Sequence, residues 1–255
     1  MPNPWDVGSA IYLEHVGFKA LATTSAGFAF SRGLQDSAVP RDPMLDHIRE
    51  ISAATSLPVN ADFQTGYADE PEGVAANVKR CVATGVAGLS IEDRSGNSAA
   101  PLYEFDLAVN RIKAARAAID ASGIPVVLTA RCEAWLVAQP HPLRVATERL
   151  VAFAEAGADC LYAPGVSEPE EIEAIVKAVA PKPVNILVSR FNSDLTVSRL
   201  TDLGVRRISV GSALACVAWN GFMKAAQSIA QTGLFDSLNG AAVSREIDEL
   251  FGKRP

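Results

Sequence analysis

The chain has 255 residues, a formal net charge of −6 and 49% hydrophobic residues. This composition excludes a disordered or fibrous protein, and an acidic chain lacks the charge footprint of a nucleic-acid or anionic-membrane binder. No apolar run approaches the roughly 20 residues that span a bilayer, and the four cysteines form no CxxC pair. We therefore predict a reduced, cytoplasmic protein of one domain, residues 1–255, with no nucleic-acid or membrane partner.

Seven short apolar segments predict strands, and helical patterns lie between them. The segments are residues 18–24, 57–62, 87–93, 124–131, 158–165, 183–188 and 205–211. Residues 72–84 and 169–179 have apolar residues three and four positions apart, which is typical of amphipathic helices that cover a sheet. Strand–helix units repeated in this way predict a (β/α)8 TIM barrel. The alternative is a doubly wound open sheet, which is disfavoured because the chain has neither GxGxxG nor GxxxxGKS.

The two ends of the chain depart from a standard barrel. Residues 1–6 have the pattern of a strand-to-helix junction, so the first strand is either a short stub or is truncated by a shortened start. Residues 236–255 predict a terminal helix that projects from the barrel.

Charged residues gather at the ends of three neighbouring predicted strands. These residues are Asp62, Glu92 and Arg131. Strand ends share the C-terminal face of a barrel, where catalysis takes place. Carboxylates without histidine or cysteine suit a hard cation, and Mg²⁺ typically takes only one or two of them. The structural alternative is that these carboxylates cap helices or pair with Arg131 or Arg94.

Arg131 follows an apolar run and therefore needs an anionic partner. In a structural role that partner is Glu92, Asp62 or Glu133, whereas in a functional role it is a carboxylate substrate. The turn at residues 23–27 offers backbone N–H groups and hydroxyls that suit the same carboxylate.

Seven segments, in this order, resemble the isocitrate lyase and phosphoenolpyruvate mutase superfamily over nearly the whole chain. They are residues 3–10 (NPWDVGSA), 23–27 (TTSAG), 33–36 (GLQD), 59–67 (VNADFQTGY), 88–93 (GLSIED), 129–131 (TAR) and 204–211 (GVRRISVG). The resemblance implies a (β/α)8 barrel, dependence on Mg²⁺ or Mn²⁺, and substrates that are 2-oxo or 2-hydroxy carboxylic acids. It also implies tetramers built from dimers that exchange their last helices, so we expect a homodimer or homotetramer.

The resemblance also implies roles for individual residues. Asp62 and Glu92 match metal-site residues, and Gln64 offers a neutral oxygen beside them. Arg131 matches the substrate-binding arginine, and Asp36 matches an aspartate on a mobile loop beside the substrate. Thr24, Ser25, Ala26 and Gly27 match the carboxylate-binding turn. Three further candidates for binding the substrate do not rest on this match: Asn60, Asn185 from its strand, and Trp5 from its place after the first strand position, with apolar packing as the alternative role of Trp5.

Three departures from the superfamily bear on the chemistry. The better-known members have two aspartates one residue apart, whereas here Asn60 replaces the first, and Phe63 and Gln64 are inserted after the second. Residues 94–101 lack the cysteine that acts as general acid in the true lyases, and Gly165 replaces a carboxylate expected after a later strand. An isocitrate or methylisocitrate lyase with the usual acid is therefore disfavoured.

We expect a Mg²⁺-dependent enzyme that cleaves a C–C bond of a small 2-oxo dicarboxylate through an enolate. The expected relatives are the oxaloacetate-decarboxylase-like and 2-oxo-acid-binding members. Decarboxylation fits because carbon dioxide leaves without a proton. One alternative is phosphonopyruvate or phosphoenolpyruvate chemistry, with Arg94 and Asn97 near the phosphonyl group. Another is a catalytically idle barrel that binds 2-oxo acids.

Overall fold

The computed structural model describes residues 1–190, 192 and 194–252. Seven parallel strands form one sheet in chain order. They are β1 (Leu21–Ala22), β2 (Val59–Asp62), β3 (Gly88–Glu92), β4 (Val127–Arg131), β5 (Cys160–Tyr162), β6 (Val184–Leu187) and β7 (Arg207–Ser209). Each lies within one predicted segment, so the predicted barrel class is confirmed. The fourth segment starts later than predicted, at Val127, because Pro125 has no N–H group to donate to a strand ladder.

Ten described α-helices surround or extend this sheet. They are α1 (Val7–Val16), α2 (Ser25–Ser31), α3 (Arg41–Ala54), α4 (Pro71–Val82), α5 (Phe105–Ser122), α6 (Pro142–Glu155), α7 (Pro169–Val179), α8 (Val197–Asp202), α9 (Ala213–Thr232) and α10 (Ser244–Gly252). The predicted helix at residues 169–179 is α7, and the one at 72–84 is α4, which begins at Pro71. Proline suits the first helical turn because the N–H groups there have no partner within the helix.

Residues 1–3 occupy the gap between β7 and β1. The Ala22 N–H donates to the Pro2 carbonyl (3.0 Å), and the Met1 nitrogen donates to the Ile208 carbonyl (2.8 Å). The Asn3 side chain accepts from the N–H groups of Val210 and Gly211 at 3.0 and 2.9 Å. This short segment therefore stands where an eighth strand would lie, as in the first of the two alternatives for this end of the chain, a stub.

Side chains alternate along the strands between an apolar and a polar face. The positions that face the helices are buried and apolar, and include Ala61, Leu89, Ile91, Leu128, Ala130, Leu161 and Ile186. The intervening positions are polar, and include Asn60, Asp62, Ser90, Glu92, Thr129, Arg131, Asn185, Arg207 and Ser209. Hydrogen bonds join members of this set across the barrel. The interior of the barrel is consequently polar, and the charged strand ends sit above it.

The C-terminal segment is less buried than the rest of the chain. In α9 only Ala215 is buried. The predicted terminal helix at residues 236–255 is a short 3-10 turn at Asp236–Leu238 followed by α10, and residues 253–255 lie outside the described part. Helix α10 lies against α1, with Phe251 close to Gly8. None of the described helices is both long and apolar enough to cross a membrane, and all four cysteines are free thiols.

Candidate active site

Three carboxylates converge on Arg131 at the C-terminal ends of β2, β3 and β4. The Nη1 atom of Arg131 lies 3.5 Å from Oδ1 of Asp62 and 3.3 Å from Oε2 of Glu92. Its Nε and Nη2 atoms both donate to Glu133, with Nη2 3.2 Å from Oε2. The three strands are adjacent and parallel, and Glu92 pairs in register with Arg131, so their ends meet at one point. Arg131 therefore makes the ion pairs with protein carboxylates that its structural role predicts.

The barrel mouth carries more carboxylates than cations. Burial raises the pKa of Glu92 to about 8; Arg131 opposes this shift, whereas Glu133 and Asp62 add to it. Burial lowers the pKa of Arg131, but the carboxylates of Glu133 and Glu92 raise it well above its usual value. Partial burial and the charge of Asp62 also raise the pKa of Asp36, which lies on the loop after α2. The surplus negative charge is what a divalent cation would compensate.

The pKa of Glu92 should make stability depend on pH. Because this pKa is higher than the ordinary value of 4.5, the folded protein holds a proton that the unfolded chain releases. We expect the free energy of unfolding to fall as pH rises from about 4.5 to about 8, by at most about 1.4 kcal/mol per pH unit. Glu92→Gln should remove this contribution in urea unfolding without divalent ions, whereas Glu72→Gln, at an exposed position of α4, should not. A wild-type minus Glu92→Gln difference that is constant from pH 5 to pH 8 would contradict this assignment.

The turn at residues 24–27 holds the carboxylate of Asp62. The N–H and hydroxyl groups of Ser25 donate to Oδ2 of Asp62 at 3.0 and 2.8 Å. Thr24 caps α2 by accepting from the Gly27 N–H at 3.2 Å, and Ala26 lies in the first turn of that helix. The donors that were predicted to hold a substrate carboxylate thus hold a protein carboxylate, so the turn is chemically suited to that ligand class.

Gly27 and Trp5 lie against each other behind this turn. A Cβ at Gly27 would lie 2.7 Å from Cγ2 of Thr24 and 2.9 Å from Cβ of Trp5, so only glycine fits there. Trp5 lines the groove between α1 and α10, not the cavity inside the barrel. The structure therefore places Trp5 as a support of the turn.

The loop inserted after β2 forms a cleft beside Glu92. Gln64 and Tyr67 have positive φ values of 49° and 57°, which are uncommon for residues other than glycine. The Gln64 carbonyl accepts from the Glu92 N–H at 2.9 Å. The Gln64 side-chain nitrogen and the Tyr67 hydroxyl are buried without a hydrogen-bond partner in the described part of the chain. Both residues line a cleft of about 420 Å³, which Glu92, Arg94 and residues 37–40 also line. Unpaired buried polar atoms of this kind are typical of ligand sites.

A second cavity, of about 50 Å³, lies inside the barrel. Arg207 lines it and donates to Oδ1 of Asn185 (3.1 Å), Oδ1 of Asn60 (3.4 Å) and Oγ1 of Thr129 (2.8 Å). Asn60 and Asn185, predicted to bind substrate, thus contact an arginine that sequence reasoning missed. The sequence does contain a signal for Arg207. Side chains alternate between the two faces of a strand, so Arg207 faces the barrel interior if its neighbour Ile208 faces the helices.

The donor set at the barrel mouth fits a hard divalent cation. No group of three or more histidine, cysteine, aspartate or glutamate side chains in the described part is arranged to hold a metal ion. Mg²⁺ usually needs only one or two protein carboxylates and retains several waters. Asp62 and Glu92 both lie beside one nitrogen of Arg131, and Gln64 lines the same cleft as Glu92. The surplus of negative charge supports the same fit.

Comparison with known proteins identifies the family. The model of the phosphoenolpyruvate phosphomutase family matches residues 1–230. The chain belongs to this family. A solved structure of a Burkholderia cenocepacia J2315 protein, described as a candidate lyase or mutase, is 44% identical and superposes with a TM-score of 0.95, covering 99% of this chain and 90% of that one. The resemblance to the isocitrate lyase and phosphoenolpyruvate mutase superfamily is confirmed.

Two members of the superfamily with named activities are more distant. The 2-methylisocitrate lyase of Escherichia coli K12 is 34% identical over 170 residues, which are 62% of this chain and 55% of that protein. The structure of oxaloacetate acetylhydrolase with its product oxalate is 27% identical, with a TM-score of 0.87, over 99% of this chain and 88% of that one. These similarities place the chain among the enzymes of this family, which are lyases and mutases.

Proposed function

We propose that this family member is a Mg²⁺-dependent carbon–carbon lyase that decarboxylates a small 2-oxo dicarboxylate, with oxaloacetate as the first substrate to test. The observation that carries the proposal is the meeting of Asp62, Glu92 and Arg131 at the barrel mouth, beside the donors of Ser25. The similarity to oxaloacetate acetylhydrolase supports a 2-oxo dicarboxylate as the substrate class.

Asp62, Glu92 and Gln64 are the residues that would hold Mg²⁺, or Mn²⁺ in its place. A bound divalent ion would stabilise the negative charge that develops on the 2-oxo oxygen of the substrate. Metal ligation requires Glu92 without its proton. The raised pKa of Glu92 therefore predicts that ion binding weakens below about pH 8.

The other residues bind the substrate and donate a proton to the enolate. Arg131 and the turn at residues 24–27 would hold a substrate carboxylate, for which the Ser25 donors would release Asp62, the carboxylate that they bind in the structure. When the C–C bond breaks, its electron pair moves toward the 2-oxo oxygen and carbon dioxide leaves without a proton. The remaining enolate then accepts a proton at carbon, which gives pyruvate from oxaloacetate. Asp36 is the proposed donor or the group that orients a donor water, and its raised pKa suits that role.

A second candidate function is phosphonopyruvate or phosphoenolpyruvate chemistry. Arg94 lines the cleft beside Gln64 and Tyr67, where it offers a cation for a phosphonyl group. Asn97, the other residue considered for that group, bonds within its own loop by accepting from the Ala99 N–H at 3.0 Å. Among the described residues, Arg94 is the one cation that lines this cleft, which makes this function second to decarboxylation.

The test is the formation of pyruvate from oxaloacetate by the purified protein with Mg²⁺, corrected for the metal-catalysed reaction without protein. We expect turnover that EDTA abolishes and that Mg²⁺ or Mn²⁺ restores. Consumption of phosphonopyruvate but not oxaloacetate would select the second function. Calorimetric binding of a 2-oxo acid without turnover of either compound would indicate an idle binding protein.

We also propose that α9 mediates a homodimer or homotetramer. Its exposed side chains include Leu214, Val217, Trp219, Phe222 and Met223, and Phe222 is 62% exposed. Several large apolar side chains exposed on one helix are typical of interfaces between chains. Light scattering coupled to size exclusion should show a dimer or tetramer, and Phe222→Asp should shift it toward monomer. The cytoplasmic location stays a prediction.

A further inference from the structure

We propose that Arg207 is a second anion-binding group of this site and that it makes the barrel prefer dicarboxylates to monocarboxylates. The inference rests on the proposed function in one respect, since it takes the ligand to be a small carboxylic acid. It concerns a residue to which neither the sequence patterns nor the proposed chemistry gave a role.

The two arginines of the barrel interior differ in their charge partners. Arg131 contacts three carboxylates, those of Asp62, Glu92 and Glu133. Arg207 donates to three neutral oxygens, and no described carboxylate lies within 4.0 Å of its guanidinium. A guanidinium in a partly buried position favours an anionic partner because neutral groups leave its charge uncompensated. Arg207 is therefore the arginine of this pair whose charge no described carboxylate compensates.

The neighbours of Arg207 fix its position without neutralising it. Asn185 is 1% exposed, Thr129 is 0% exposed and Asn60 is 7% exposed. Each gives one oxygen to a different nitrogen of the guanidinium, so the side chain is held from three strands. An aspartate at position 60 or 185 would form an ion pair with Arg207. Asparagine at both positions keeps the positive charge available.

The cavity connects the two arginines. Arg131, Asp62 and Tyr162 line it from the strand ends, and Arg207 and Asn60 line it from the layer below. Its volume of about 50 Å³ suits a carboxylate group or ordered water, but not a whole substrate. A ligand whose first carboxylate lies at the Ser25 turn and Arg131 would direct its second carboxylate toward Arg207.

The test compares malonate with propionate, which has the same carbon count and one carboxylate fewer. Calorimetry with Mg²⁺ should show at least about tenfold tighter binding of malonate to the wild type, since only malonate has a second carboxylate that can accept a charge-assisted hydrogen bond from Arg207. Arg207→Gln should remove this preference by weakening malonate at least tenfold while propionate changes less than threefold. Arg207→Lys should retain part of it. Arg206→Gln is the matched control, because Arg206 is exposed on the same strand segment.

Arg207→Gln also removes the hydrogen bonds of Arg207 to Asn185, Asn60 and Thr129. A second variant therefore tests the charge of Arg207 separately. Asn185→Asp leaves Arg207 in place but neutralises it, and should also weaken malonate selectively. Malonate binding unchanged in Arg207→Gln, an equal loss of malonate and propionate, or no malonate preference in the wild type would overturn the proposal. If malonate binding depends on Arg207 but oxaloacetate is not turned over, the proposal for Arg207 stands and the proposed function fails. If Arg207→Gln turns over oxaloacetate with an unchanged KM, the proposed function stands and the proposal for Arg207 is overturned.

Discussion

Replacing Arg131 with methionine is expected to abolish turnover and to destabilise the folded protein. The substitution leaves the carboxylates of Asp62, Glu92 and Glu133 at the barrel mouth without their common partner. Removing one partner of a buried ion pair typically costs about 3–5 kcal/mol. Urea unfolding at pH 8 should show a loss of that size, and kcat/KM for oxaloacetate should fall at least a hundredfold.

The loss of stability in Arg131→Met should be smaller at pH 5 than at pH 8, because Glu92 then carries a proton in the folded state. Arg144→Met is the matched control, since Arg144 forms an exposed pair with Glu148 on α6. Exposed pairs contribute only about 0–1 kcal/mol. An Arg131→Met protein as stable as the wild type at pH 8, or as active, would contradict the role given to this arginine.

Replacing Asp62 with asparagine is expected to abolish turnover while the fold is retained. The asparagine oxygen can still accept from the N–H and hydroxyl groups of Ser25, which lie 3.0 and 2.8 Å from the aspartate. The negative charge is lost, however, and with it one of the two carboxylates proposed to hold Mg²⁺. We expect kcat to fall at least a hundredfold and the calorimetric affinity for Mg²⁺ to fall at least tenfold.

Asp46→Asn provides the control for Asp62→Asn, because Asp46 is an exposed partner of Arg49 on α3. Its turnover and its affinity for Mg²⁺ should match those of the wild type. If Asp62→Asn kept more than half of the wild-type turnover, Asp62 would have no part in the site. We expect Asp62→Asn to lose activity but not stability, and Arg131→Met to lose both. This difference would distinguish the metal-binding role of Asp62 from the charge-compensating role of Arg131.

Local patterns were sufficient to predict the fold. Each strand is a short apolar run that ends in polar residues, and the helices between them carry their own periodicity, as in α7. The apolar runs and the helical periodicity are local patterns, so they can be identified in a single sequence. The stub at residues 1–3 was left open because its pairing with β1 and β7 depends on residues about 20 and 207 positions away.

The site could be predicted only where the topology brings residues together. Asp62, Glu92 and Arg131 end adjacent strands, so their meeting follows from the barrel itself. The contacts of Arg207 follow in this way only for Asn185, which is its register partner on the adjacent strand β6. Its partners on β2 and β4, Asn60 and Thr129, lie across the barrel. Which interior layer a side chain occupies depends on strand register. The register of Asn185 was ambiguous in the sequence, and Asn60 was interpreted through the metal motif.

Anomalous scattering from a crystal soaked with Mn²⁺ and malonate tests the central claim most directly. We predict a manganese peak bound by Asp62 and Glu92, with malonate reaching from Arg131 toward Arg207. An Arg131 that still contacts all three carboxylates, with neither manganese nor malonate at the barrel mouth, would contradict the proposed site.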